Sequence, residues 1–103
     1  MEWEVDNMNI KIKEYSKHFD KFRGLMFKKG FDYGIRLRSN GIHTFFMRKP
    51  INVILTDKDK KIVKIYYNLK PWRVIWPKKY VYYTYELPVS YKFNFKKNEK
   101  LPF

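Results

Sequence analysis

A chain of 103 residues with a formal charge of +13 and no cysteine has the size of one domain, and it excludes a disulfide framework, thiolate metal ligation and thiol catalysis. Aromatic residues make up 20% of it, and each ring can remove roughly 150–250 Å² from water, which offsets the small core of a short chain. The first residues, Met1-Glu2-Trp3-Glu4-Val5-Asp6, are too acidic for a signal peptide and no apolar run approaches the roughly 18 residues of a membrane span, so a soluble cytoplasmic protein without membrane insertion is expected.

Asn9-Ile10-Lys11-Ile12-Lys13 alternates apolar and charged residues and predicts a half-buried strand. Ser16 then offers a cap, and Phe19, Phe22, Met26 and Phe27 recur at helical spacing, which predicts one short helix over residues 17–27. Gly30 and Gly34 bracket the exit loop. Residues 34–38 alternate again, and Ser39-Asn40-Gly41 predicts a tight turn of a hairpin into a strand over Ile42 to Arg48. On that strand Ile42, Thr44, Phe46 and Arg48 share one face, and His43, Phe45 and Met47 the other.

Pro50 demands a bend before Ile51 to Leu55, whose consecutive apolar residues predict a strand covered on both sides. Asp57-Lys58-Asp59-Lys60 has turn chemistry, and the alternation of residues 62–69 completes an antiparallel hairpin. Pro71 and Pro77 bias Lys70 and Trp76 toward extended backbone and make the segment between the prolines a semi-rigid arm. Tyr80 to Leu87 is the last long strand, with Glu86 on the face of Tyr80, Tyr82 and Thr84. Tyr91, Phe93 and Phe95 alternate as a short tail strand, and residues 96–100 form a solvated turn. The sum is a single domain over residues 1–103, mainly β with one helix (α+β), whose curved antiparallel sheet closes into a small barrel and so removes its edges.

Four boxes carry a resemblance: Arg23-Gly24-Leu25-Met26, Ile42-His43-Thr44-Phe45-Phe46-Met47, Lys70-Pro71-Trp72-Arg73 and Glu86-Leu87-Pro88. In this order, with a proline, an aliphatic strand and an acidic turn between the second and third, the chain resembles the domain-of-unknown-function 192 family over about residues 15–103. The resemblance implies a compact, mainly β domain and brings no mechanism with it. The chain departs from the family pattern at Asn52, where Asp is frequent, and at Lys60 or Lys61 and Ser90, where Gly is frequent. Asn98-Glu99 stands where the family has Gly-Asp.

The usual enzyme signatures are missing. The serines sit in no nucleophile elbow, the glycines fit no phosphate loop, and two histidines without cysteine make no metal-ligand spacing. Asp57 and Asp59 are crowded by Lys58, Lys60 and Lys61, which repel a divalent cation. No cofactor or metal is implied. Arg23 and Glu86 can form an ion pair tying helix to sheet, since a guanidinium pointing inward needs a partner.

The first reading is a non-enzymatic module whose cleft, bordered by Arg23, His43, Met47, Trp72, Arg73 and Glu86, binds a ligand or peptide. The alternative is a basic binder of single-stranded nucleic acid using Arg48, Lys49, Trp72, Arg73, Trp76, Lys78 and Lys79, in which rings stack on bases and cations neutralise phosphates. Against it stands the parity of Trp72, Val74 and Trp76, a row that core packing would also explain. A bias toward lysine would equally explain the charge. A third reading is an enzyme acting through His43 and Glu86.

Overall fold

The computed structural model describes residues 2–5, 8–15, 33–44, 47 and 49–103. The predicted helix over residues 17–27 lies outside them. The described residues form eight strands: β1 (Glu2–Val5), β2 (Met8–Tyr15), β3 (Tyr33–Leu37), β4 (Ile42–His43), β5 (Ile51–Thr56), β6 (Ile62–Leu69), β7 (Val74–Ile75) and β8 (Tyr83–Pro88). Six of them form one sheet in the order β1-β2-β3-β8-β5-β6, and β4 with β7 forms a second sheet of two strands.

The large sheet is mixed, which corrects the expectation of an antiparallel one. β2 and β3 run parallel, with Ile12 opposite Gly34 and Glu14 opposite Arg36. A parallel pair cannot be joined by a tight turn and needs a crossover of about a dozen residues or more. The stretch between Tyr15 and Tyr33 supplies that length. Gly34 lies in β3, where a Cβ would come within 2.6 Å of side-chain carbons of both Ile12 and Leu87. Among the described residues the sheet is open, with β1 and β6 at its ends, so no closed barrel forms.

β5 is central, flanked by β6 and β8, and all six of its residues are buried. This is what its unbroken apolar run requires. Its hairpin with β6 turns at Asp57, whose Oδ1 accepts from the Asp59 N–H at 2.8 Å and the Lys61 N–H at 3.0 Å, while Lys60 takes the left-handed backbone at φ 68°. The expected hairpin between residues 34–38 and 42–48 does not form. β3 pairs with β2 and β8, and the chain leaves the large sheet so that β4 pairs with β7 instead.

Strand alternation divides the core in two. One side of the sheet gathers Ile35, Leu37, Ile51, Val53 and Leu55 with Met47 and with Ile42 and Ile75 of the small sheet. The other gathers Ile12, Ile54, Ile62, Tyr85 and Leu87 with Tyr91, Leu101 and Phe103. The tail covers this second side as a ladder of rings, with Tyr91, Phe93 and Phe95 stacked at 5.9 and 5.8 Å, not as the predicted strand. Its backbone joins the start of β6 through bonds of Asn98 and Glu99 with Ile62 and a bridge from Lys100 to Lys61.

Candidate functional site

The small sheet is the part of the molecule where sequence chemistry reaches the surface in an ordered way. Ile42 pairs with Ile75, and His43 with Val74. The two isoleucines are buried in the first core. Alternation then turns Val74 and Trp76 outward, and Val74 is exposed while His43 is half-buried.

Two side chains pin the arm that follows. Thr44 Oγ1 donates to the Lys70 carbonyl at 2.8 Å and accepts from the Arg73 N–H at 2.8 Å. The Thr44 carbonyl accepts from the Trp72 N–H at 3.0 Å, and its N–H donates to the Arg73 carbonyl at 2.8 Å. These bonds hold Trp72 in the left-handed region at φ 62°, a conformation that costs a non-glycine residue about 1–2 kcal/mol. Farther along, Asn40 brackets Lys78: its Nδ2 donates to the Lys78 carbonyl at 2.7 Å and its Oδ1 accepts from the Lys78 N–H at 2.8 Å. Gly41, at φ 99°, lets Pro77 close on it, since a Cβ would sit 3.0 Å from the ring. A chain clamped at residues 70–73 and again at 78 cannot fold its rings back into the core.

The rings therefore stay out. Trp76 is 73% exposed, Trp72 57% and Tyr80 81%, with Tyr82 exposed beyond them. Cations are interleaved: Lys70, Arg73 and Lys79 are exposed and Lys78 is half-buried. A groove of about 440 Å³ runs beside Trp76, lined by Asn40, Gly41, His43, Val74 and Pro77 among others. Another of about 370 Å³ lies past the arm between Tyr80 and Tyr82 and the Asp57–Asp59 turn.

The candidate cleft residues divide between surface and interior. Met47 and Glu86 are buried on the first core side. Glu86 stands opposite Ile35 and Val53 with none of its surface exposed, where a carboxylate requires a partner, and Glu86 is not without one. Trp72 and Arg73 lie on the exposed arm, and His43 lines the groove beside Trp76. Lys49, of the nucleic-acid set, is exposed, as are Trp76 and Lys79. Arg23 and Arg48 fall outside the described residues.

A further polar cluster ties β2 to β3. Arg36 Nη2 and Arg38 Nε both donate to the Glu14 carboxylate, the latter at 2.8 Å, and Arg36 lies over the Tyr83 ring. The hydrogen bond from Arg36 holds the Glu14 carboxyl below its usual value. Burial works against the Arg36 charge, but the hydrogen bonds and attraction of Glu14 and Tyr85 together outweigh it, and the guanidinium keeps its proton more firmly than usual. Burial pushes the Tyr85 phenol up to about 12, and that hydroxyl donates to the Phe103 carbonyl at 2.7 Å. These groups hold strands and tail together; no group of three or more His, Asp or Glu that could hold a metal occurs among the described residues.

Residues 2–98 match the family model DUF192, described as "Uncharacterized ACR". The chain belongs to that family. A UPF0127 protein of Thermococcus kodakarensis is 35% identical over 87 residues, spanning 78% of this chain and 55% of that protein. The chain spans about half the length of the relatives it first matches. Two solved structures share the fold at low identity. A protein of unknown function from Novosphingobium aromaticivorans has a TM-score of 0.63 at 13% identity, covering 78% of this chain and 64% of its own. A protein from Sinorhizobium meliloti, described as a candidate transcription regulator, has a TM-score of 0.64 at 15% identity, covering 84% and 77%.

Within this DUF192 domain the family boxes read structurally. Thr44, inside the second box, clamps Lys70 and Arg73 of the third. The clamp joins in space two boxes that are far apart in sequence. Asn40 and Thr44 were not among the predicted site residues, and neither were Tyr80 and Tyr82. The Asn-Gly pair at 40–41 signalled a turn, and nothing local signalled that its amide would reach Lys78.

Proposed function

We propose that this chain is a non-enzymatic binding module that holds an anionic ligand with planar groups on the outer face of β4, β7 and the arm through Tyr82. The observation that carries this reading is the exposure of Trp76 on a backbone clamped by Thr44 and Asn40. Leaving a ring of this size in water forgoes about 3 kcal/mol of burial, a sizeable share of the roughly 5–15 kcal/mol by which a domain is stable. Exposed rings at Trp72, Trp76, Tyr80 and Tyr82 along one clamped segment are the kind of feature that marks an interaction surface. The interleaved Lys70, Arg73, Lys78 and Lys79 set the sign of the ligand. An acid–base pair of His43 and Glu86 is not favoured, because Glu86 exposes no surface to a substrate.

Titration with adenosine monophosphate, followed by the indole N–H resonance of Trp76 and the amides of residues 74–78, tests the reading. The nucleotide is expected to shift these signals with millimolar affinity or better, and inorganic phosphate, which lacks a ring, to shift them less. Absence of any shift, or shifts confined to the distant groove lined by Asn52, Tyr67 and Phe93, would overturn it.

A further inference from the structure

We infer that the ligand of this face is a single-stranded nucleic acid, bound along the arm from Trp72 to Tyr82 with little regard to sequence. The inference rests on the proposed binding face and deepens it. Its first ground is extent. Trp72 lies two residues before β7 and Trp76 directly after it, and Tyr80 and Tyr82 lie beyond Pro77, so the exposed rings are spread along the segment over residues 72–82. One small ligand reaches one ring; a polymer reaches all of them.

The second ground is the pattern of charge. Lys70 and Arg73 flank Trp72, and Lys78 with Lys79 separates Trp76 from Tyr80. A single strand offers this repeat in complementary form, a flat base and a phosphate in each unit, whereas a duplex keeps its base faces stacked inside. Every base has a face that can stack, so such a surface is tolerant of sequence. The third ground is preorganisation: the clamps from Thr44 and Asn40 fix the backbone that carries the rings, so little ordering remains to be done on binding. Asp57 and Asp59 line the groove at Tyr80 and Tyr82 together with Lys58, and the two carboxylates outnumber the one cation that phosphate would meet there. The strand's backbone is accordingly assigned to the side of Lys78 and Lys79, with Asp59 marking the end of the track.

The test compares an oligothymidylate of about 12 nucleotides, within the span of small single-strand sites, with thymidine monophosphate, the same sequence in duplex form, and inorganic polyphosphate, using tryptophan fluorescence at low salt. The oligonucleotide is expected to quench emission and to bind at least about 10-fold more tightly than each of the others. With roughly three or four phosphates engaged, the logarithm of its affinity falls with the logarithm of salt at a slope of about 2–3, and replacing Lys78 and Lys79 together by Gln lowers that slope by about 1.4. Trp76→Ala should weaken binding roughly 10-fold or more while the melting temperature stays put, because that ring is mostly in water.

Equal binding of monophosphate and oligonucleotide would overturn the polymer and leave the binding face intact. Equal binding of polyphosphate or duplex, or indifference to Trp76→Ala, would overturn stacking on a single strand. No response to any nucleotide would remove the inference and the binding face together.

Discussion

β5 and β7 are both short and apolar, yet one is the best covered strand of the molecule and the other carries a tryptophan into water. Every residue of β5 is buried between β6 and β8. In β7 only Ile75 is buried, and Val74 is exposed. The difference comes from what lies on either side. β5 has a sheet neighbour along both edges and a core on both faces, whereas β7, among the described residues, pairs with β4 alone and has a core beneath it. Apolar character on its own does not say which of these a strand will have. What separates them is polar: a turn tied by Asp57 brings β6 back onto β5, and Thr44 and Asn40 hold the arm around β7 in place with its rings outward.

The contrast can be broken hardest from the buried side. Ile54→Ala opens a cavity in the second core and should cost about 2–5 kcal/mol, read as a fall in urea midpoint, while mononucleotide shifts at Trp76 persist in the fraction that stays folded. Trp76→Ala should do the reverse, staying within about 0.5 kcal/mol of the parent in stability and losing the ligand response. If both substitutions damaged stability alike, β7 would be core after all.

Next in size is Thr44→Val. It strips the hydroxyl from the Arg73 N–H and the Lys70 carbonyl, at a cost of about 1–3 kcal/mol, and it loosens the arm, so nucleotide affinity should fall as well. An unchanged affinity would show that the clamp does not organise the binding face.

Glu14→Gln probes the cluster between β2 and β3, away from that face. The Glu14 carboxyl is held below its ordinary value of 4.5, so its charge stabilises the fold above the ordinary carboxyl range, and this contribution is lost as the pH falls through the lowered value. At neutral pH the variant should be less stable by about 1 kcal/mol, as befits a partly exposed pair. The gap should close in acid, and denaturant midpoints at the two conditions measure it. Ligand shifts should not change.

The smallest effect is a gain. Lys60 occupies a left-handed turn position at φ 68°, and Lys60→Gly should raise stability by about 0.5–1 kcal/mol, visible as a higher melting temperature.

Which parts of this were legible in the sequence follows from the range of the forces that made them. The β5–β6 hairpin and the double coverage of β5 could be read because local turn chemistry at Asp57 and an unbroken apolar run act over a few residues. The family boxes could be read for the same reason. The parallel pairing of β2 with β3 could not, since it depends on where a long crossover returns. The turn at residues 39–41 was legible, with Gly41 at positive φ, but its consequence was not. Sequence neighbours suggested a hairpin, and tertiary pairing sent β4 to β7. Parity grouped Trp72, Val74 and Trp76 in a row of the kind that is more often buried, whereas all three are exposed. The cleft residues show the same limit: His43, Trp72 and Arg73 come to the outside, and Met47 and Glu86 to the interior, because family boxes meet for structural reasons as readily as for chemical ones. The rings of the tail alternate as a strand would, yet they stack as a ladder on the second core.

The most direct test is a protein with Trp76 as its single tryptophan, made by Trp3→Phe and Trp72→Phe, probed by acrylamide quenching with and without oligothymidylate. Emission should be that of a water-exposed indole, strongly quenched alone and protected when the oligonucleotide is bound. A shielded indole in the free protein, or one whose quenching the oligonucleotide leaves unchanged, would contradict the claim that this outward ring is where the molecule binds.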